Sequence, residues 1–155
     1  MKRWLLYFLA LGVLGFLDIL PFPGTDVARL EPIEAVWLTS IDDTVYLETD
    51  TGDVGIGEDI SEALEDMKNK AFGAVFIETA DYLIIEQGKE ELLSQAFPVF
   101  RPSCMVCVSA KKPDLMDCAE FLTVHESTAT LRQLRAEKME LPELKQLQGR
   151  FELIE

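Results

Sequence analysis

The 155-residue chain has few of the residues on which most hydrolases and metalloproteins depend. It contains a single histidine, His125, and three cysteines. It has no G-x-S-x-G nucleophile turn, no H-E-x-x-H zinc motif and no P-loop lysine. A lone histidine without a nucleophile makes no catalytic pair, and the nearby Ser127 is typical of a helix N-cap. The sequence therefore assigns no catalytic, cofactor-binding or metal-binding residue.

Basic residues are also scarce, and their scarcity excludes one class of partner. The chain has 14 Lys and Arg against 28 Asp and Glu, for a net charge of -14. Because such a charge repels phosphates, nucleic acid is excluded as a partner. The imbalance is local, since residues 26–66 carry 13 acidic residues and one basic residue, Arg29. Turns and a helix start explain part of this acidity. The other carboxylates are predicted to face outward, away from anionic lipid headgroups.

Part of the acidic segment has the chemistry of a calcium site but not its spacing. Asp50, Asp53, Glu58 and Asp59 are hard oxygen ligands close together in the sequence. They do not match the D-x-D-x-D-G-x5-E loop, and turn and capping roles explain several of them. The glycines at positions 52, 55 and 57 lack the G-x-G-x-x-G spacing of a dinucleotide loop, and turn geometry is the better interpretation. An acidic, calcium-dependent binding protein, or an enzyme of unknown substrate, remains the alternative function.

The N-terminus has the layout of an export signal. Lys2 and Arg3 precede an uncharged run over residues 4–17, and the apolar stretch resumes after Asp18 as far as residue 22. As a helix, residues 4–22 span about 28 Å, close to the roughly 30 Å of a bilayer core. No clear cleavage pattern follows. Residues 1–24 are therefore predicted to be a signal anchor or a signal peptide with a short linker; we favour the uncleaved anchor, with Lys2 and Arg3 on the cytoplasmic side. The alternative is a buried helix of a cytosolic domain.

The cysteines are predicted to be core residues. Cys104 and Cys107 form a C-x-x-C pair, which elsewhere signals zinc or redox chemistry. Here the pair lies in an apolar, β-like run, and residues three apart on a strand point to opposite faces of the sheet. One metal could not easily bind both thiols. Cys118 is expected on the apolar side of a helix.

Residues 25–155 are predicted to form a single α+β domain, with a mixed β-sheet, a β-hairpin and flanking helices. The first strand is expected to place Ile33, Trp37 and Ile41 on one face, and Asp42-Asp43 to form a two-residue turn. Asp59 and Glu62 form a capping box for the clearest helix, which Gly73 is expected to end. Strands are predicted at residues 33–41, 44–49, 54–56, 82–85 and 103–110, and helices at 60–71, 89–96, 113–122, 127–138 and 142–147. Residues 74–77 form another short apolar run, and residues 150–154 are a terminal strand or a frayed end.

Several of these segments share a pattern with a known family. They are Gly24-Thr-Asp-Val-Ala-Arg-Leu30, Ala35-Val-Trp-Leu-Thr-Ser-Ile-Asp42, Gly57-Glu-Asp-Ile-Ser-Glu-Ala-Leu64, Tyr82-Leu-Ile-Ile-Glu86 and the later Arg101 with its Val-rich strand. In this order they resemble the N-terminal domain of the Ger(x)C spore-germination proteins, the C subunits of nutrient germinant receptors. The family's lipid-bearing Cys is Gly24 here and its Trp is Thr25, so the signal anchor replaces the lipid. The family also carries further domains after this one.

The resemblance implies a membrane-anchored, non-enzymatic interaction module on the extracytoplasmic side of the cell membrane. It further implies an integral-membrane protein partner, and it indicates no cofactor. No class of small-molecule ligand follows from the sequence. A cytosolic scaffold is a third interpretation.

Overall fold

The computed structural model describes Trp4 and residues 32–71, 73–125, 129–136, 140–147 and 149–154. Apart from Trp4, the predicted signal anchor lies outside these ranges. So do Ser127 and the segment 24–30 of the family pattern. Among the helices in the described ranges, none combines the length and the apolarity needed to cross a bilayer.

Seven strands of the described chain form one mixed sheet, which confirms the predicted α+β class. Their order across the sheet is β3-β2-β1-β4-β5-β6-β7. Strands β1, β4, β5 and β6 are parallel, whereas β2 and β3 at one end and β7 at the other are antiparallel to their neighbours. The strands are β1 Ala35–Ile41, β2 Thr44–Thr49, β3 Val54–Gly57, β4 Tyr82–Glu86, β5 Met105–Ser109, β6 Glu143–Leu147 and β7 Arg150–Ile154.

Helices on both faces bury the centre of the sheet. They are α1 Ile60–Lys70, α2 Leu93–Ala96, α3 Leu115–Val124 and α4 Leu131–Ala136, with 3-10 turns at Ile77–Thr79 and Glu90–Leu92. One core contains α1, α2 and both 3-10 turns, packed on residues such as Leu38 and Leu83. The other contains α3, packed on Trp37 and Ile84. Strand β1 is buried on both faces because it lies inside the sheet. The prediction that Ile33 and Trp37 share a face is wrong, since Ile33 precedes β1 and is buried in the core with α1, whereas Trp37 is buried in the core with α3.

The hairpin turn between β1 and β2 has the predicted geometry. Asp42 and Asp43 have φ angles of 48° and 63°, both in the left-handed region. A two-residue turn of this kind matches the twist of antiparallel strands, and Asp tolerates the left-handed conformation better than most residues. On the returning strand, Val45 and Leu47 lie on one face of the sheet and Tyr46 on the other, as the alternation predicted.

Helix α1 begins with a capping box in which one of the two hydrogen bonds differs from the prediction. An Asp59 carboxylate oxygen accepts from the Glu62 backbone N–H at 2.8 Å, while the Glu62 carboxylate accepts from the Glu58 N–H, not from that of Asp59. Its buried face is the predicted stripe, from Ile60 to Met67. The helix ends at Lys70, before Gly73.

Two glycines lie where the backbones of β3 and α1 meet. A Cβ at Gly55 would stand 1.9 Å from the Ala63 carbonyl oxygen, and one at Gly57 would stand 2.4 Å from the Ala63 nitrogen. Turn geometry is thus the wrong interpretation for these two residues, which belong to a strand in direct contact with a helix. It is right for Gly52, whose φ is 88°.

The cysteine prediction is confirmed. Cys104, just before β5, is buried in the core on the α1 face, and Cys107 within β5 is buried in the core on the α3 face. Cys118 is buried on α3 in the same core as Cys107. Burial raises the pKa of the Cys104 and Cys118 thiols to about 12, so both are held as neutral thiols.

One segment differs from the prediction. Residues 142–147, predicted to be helical, contain strand β6, because Val108 and the whole of β7 pair with this segment. The apolar run at 74–77, for which no element was predicted, ends where Ile77 begins a 3-10 turn. Residues 150–154 are a strand, β7, rather than a frayed end.

Candidate functional site

The α3 face of the sheet is covered only in part. At the amino end of β1, Trp37 is 4% exposed beneath α3, whereas Ile41 at the carboxyl end of the same face is 56% exposed. On β3, Val54 and Ile56 are 40% and 41% exposed. No described helix buries these three side chains, although each belongs to a strand of the central sheet.

The three exposed side chains share one face of the sheet with the half-buried Tyr46, and with Thr39, Thr44 and Glu48. Tyr46 is paired with Thr39 on one side and with Ile56 on the other, and directly paired residues of antiparallel strands share a face. Ile41 lies diagonally across from Tyr46, because its direct partner is Thr44. Val54 lies two positions from Ile56 on the same strand and therefore on the same face. We call Ile41, Tyr46, Val54 and Ile56 the apolar strip.

The glycines of β3 fix the direction of this strip. Because Gly55 and Gly57 face α1, the alternating residues Val54 and Ile56 must face away from that helix. The prediction placed Ile41 on the same face as the buried Trp37 and missed the exposure of this face. The alternation Val-Gly-Ile-Gly was the signal that could have found the strip, since glycines are typical of positions where another backbone comes close.

An open groove borders the strip, between the β2–β3 turn and the start of α3. It has a volume of about 460 Å³. Lys112 forms an ion pair with Glu48 across it, and the exposed Met116 lies at its rim. The groove is lined by Glu48, Thr49, Asp50, Gly52, Lys112, Pro113, Asp114, Leu115 and Met116.

The charged groups of the groove are engaged in the structure of the domain itself. An Asp50 carboxylate oxygen accepts from the Glu34 backbone N–H at 3.0 Å and so fixes the start of β1. Asp114 caps α3 by accepting from the N–H groups of Met116 and Asp117 at 3.1 Å and 3.2 Å. Glu48 is held by Lys112. Each of these charged groups is bonded to a neighbouring part of the domain, and the groups do not converge on a common point.

The carboxylates considered for calcium are likewise dispersed. Asp53 accepts from the Thr51 hydroxyl at 3.2 Å within the β2–β3 turn, and Asp59 caps α1. Asp50 bonds to the start of β1 instead. Among the described residues there is no group of three or more His, Cys, Asp or Glu side chains placed to hold a metal ion.

Asp66 closes the outer edge of β3. Its carboxylate accepts from the Ile56 backbone N–H at 2.9 Å and from Lys70 Nζ at 2.5 Å. The hydrogen bond from Lys70, followed by that from Ile56, holds the pKa of Asp66 below its usual value of 3.8. Because this carboxylate satisfies a donor of the edge strand, it opposes the addition of another strand there.

His125 is part of a packing contact at the end of α3. Its ring stacks on Phe121 with centroids 4.3 Å apart, and Phe121 in turn contacts Phe151 of β7. Nδ1 lies 3.2 Å from the Phe121 carbonyl oxygen. The ring therefore helps to fasten the end of α3 to the far edge of the sheet.

Comparison of the chain with protein-family models, with curated proteins and with solved structures finds no match. The resemblance to the germination family stays a prediction.

Proposed function

We propose that the protein is a membrane-anchored, non-enzymatic interaction module that works on the extracytoplasmic side of the cell membrane, bound to an integral-membrane partner. By resemblance, the module corresponds to the N-terminal domain of a spore germinant receptor C subunit. The N-terminal segment supports the location, because Lys2 and Arg3 precede an apolar run of helical length sufficient for a bilayer.

The family-like segments in the described chain lie in regular elements of the sheet and its first helix. Residues 35–42 comprise β1 and the first residue of the hairpin turn, and residues 57–64 lead from β3 into α1. Residues 82–86 are β4, and residues 101–110 contain β5. The four segments therefore supply three adjacent strands and the helix that packs at the β3 end, rather than scattered loops.

The observation that carries an interaction role is the apolar strip. Ile41 is more than half exposed, although it continues the face that α3 buries at Trp37. Contiguous apolar side chains on a surface are typical of a binding site for another protein. The calcium-dependent alternative has no comparable support, because its candidate ligands, such as Asp50 and Asp59, make separate hydrogen bonds within turns and caps.

Proteolysis of oriented membranes tests the location. Protease added to intact protoplasts is expected to digest residues 32–155 of the membrane-bound protein, while inverted vesicles protect them. A cytoplasmic protein and a known outer-surface protein serve as controls for the orientation. Complete protection in protoplasts, with digestion in inverted vesicles, overturns the proposed location.

Purification from the native membrane tests the partner. The full chain, extracted in mild detergent, is expected to bring with it a multi-pass membrane protein in a fixed molar ratio. Recovery of the chain alone at all detergent concentrations contradicts the proposal. For the alternative, millimolar calcium is expected to leave the melting temperature unchanged, since only a ligand that binds the folded state raises it.

A further inference from the structure

The apolar strip lies in the one stretch of the chain that carries charge of a single sign. Residues 32–66, which form β1, β2, β3 and the start of α1, contain 11 acidic residues and no Lys or Arg. Strand pairing places the strip in the middle of this stretch. Any partner that buries the strip must therefore come close to these carboxylates.

Three of these carboxylates lie together at one end of the strip. Asp42 and Asp43 are exposed in the turn next to Ile41, and the exposed Glu58 follows β3. Among the described residues, no cation forms an ion pair with any of these three, whereas Glu48 is paired with Lys112. Unpaired carboxylates around an apolar surface give a negative potential that attracts cations.

We propose that the apolar strip binds an amphipathic protein segment whose apolar side chains are flanked by Lys or Arg. This inference rests on the proposed interaction role and names the surface and the chemistry of the partner. The strip, Ile41, Tyr46, Val54 and Ile56, receives the apolar side chains of the segment. Asp42, Asp43 and Glu58 receive its cations.

Charge argues against the other occupants. A second copy that docked through the same face would bring two sets of the same carboxylates together, since a two-fold interface places a patch against itself. Anionic lipid headgroups are repelled for the same reason. Lys2 and Arg3 precede the chain's own apolar segment, but the proposed signal anchor places that segment in the membrane and both cations on its cytoplasmic side. A cationic amphipathic segment matches both the apolar side chains of the strip and the carboxylates beside them.

Site-specific photo-cross-linking tests this assignment on the full chain in phosphatidylcholine nanodiscs. A p-benzoylphenylalanine placed at Ile56 reports on the strip. The same group at Ile154 is the matched control, because Ile154 is also an isoleucine of an edge strand and is 40% exposed against 41% for Ile56. The probe is a 14-residue peptide of Leu and Lys with leucines at helical i, i+3, i+4 spacing. Its counterpart carries Glu in place of every Lys.

The Lys peptide is expected to cross-link at position 56 in preference to position 154, and the Glu peptide is expected to cross-link at neither. The double variant Asp42→Asn/Asp43→Asn removes two charges but keeps residues that tolerate the left-handed turn. Since an exposed pair contributes at most a fraction of the binding energy, we expect its cross-linking yield to fall about fivefold.

Equal yields at positions 56 and 154, or equal yields with the two peptides, overturn the proposal. Cross-links from position 56 to lipid, to a second copy or to residues 1–31 also overturn it and identify the occupant. The cross-linking result can be distinguished from a failure of the proposed location of the domain. Failed cross-linking with successful protease digestion rejects only this surface, whereas the reverse outcome rejects only the proposed location.

Discussion

The two ends of the sheet have similar strand arrangements but different surface charges. Both end in an antiparallel hairpin, β1–β2–β3 at one end and β6–β7 at the other. At the β6–β7 end charges of both signs occur, with Lys145 paired across the strands with Glu152 and forming an ion pair with Glu143 at 3.1 Å. At the β1–β3 end, every charged residue among residues 32–66 is acidic. Exposed strands at the end of the sheet therefore do not need charged residues of a single sign. The excess of acidic residues at the β1–β3 end requires a separate explanation.

The packing of the two ends differs as well. Strand β3 lies in backbone contact with α1 through Gly55, so one of its faces is closed and the other carries the apolar strip. The β6–β7 turn has Gly149 at a φ of 77°, with open space around it. One end is thus fixed by close packing and the other by turn geometry.

The largest effect that this comparison predicts is for Gly55→Ala. Its Cβ would overlap the Ala63 carbonyl, which is backbone and cannot rotate away, so the free energy of unfolding is expected to fall by more than about 3 kcal/mol. Gly149→Ala at the other end, where only the positive φ is strained, is expected to cost about 1 kcal/mol. Urea unfolding of the full chain in detergent, followed by circular dichroism, measures both. Similar losses for the two variants contradict the described contact between β3 and α1.

The next effect distinguishes strand β6 from the helix predicted at residues 142–147. Leu144 is 1% exposed and Leu147 is 59% exposed. Leu144→Ala is therefore expected to lower the free energy of unfolding by about 3 kcal/mol, and Leu147→Ala by less than about 0.5 kcal/mol. A helix with its leucines at i and i+3 would bury both side chains. Equal destabilisation by the two substitutions in urea unfolding would support that helix and reject the strand.

A smaller effect is expected at Asp66. Because its pKa is lowered in the folded protein, its carboxylate stabilises the fold above the ordinary pKa of 3.8, and this contribution is lost as the pH falls through the lower folded value. Asp66→Asn is thus expected to lower the melting temperature slightly at pH 7, and its difference from the wild type is expected to shrink as the pH falls below 3.8. The exposed neighbour Glu65→Gln serves as the control. A difference between wild type and Asp66→Asn that grows on acidification contradicts the assignment.

Much of the β1–β3 end was predictable because its signals are local. Two consecutive Asp residues mark the turn, Asp59 and Glu62 mark the start of α1, and an apolar stripe marks its buried face. Each of these signals acts within a few residues. The opposite faces of Cys104 and Cys107 follow in the same way from the two-residue period of a strand.

What could not be predicted depends on contacts between distant residues. Leu141, Leu144 and Leu147 have a spacing of three, which indicates a helix, but pairing with β5 and β7 makes this segment a strand. The apolar strip was missed because its exposure depends on α3, which begins at Leu115 and covers Trp37 but not Ile41. The role of Gly55 depends in the same way on the position of α1 against β3.

The central claim is that the unpaired charges at the β1–β3 end, those of Asp42, Asp43 and Glu58, serve contact with a partner rather than the stability of the fold. The most direct test is the free energy of unfolding of Asp42→Asn/Asp43→Asn, whose substitutions preserve the turn and remove unpaired charges. Since like charges repel within the acidic segment, this free energy is expected to be unchanged or to rise by about 0.3 kcal/mol. A fall of more than about 1 kcal/mol would show that the carboxylates hold the hairpin together and would contradict the claim.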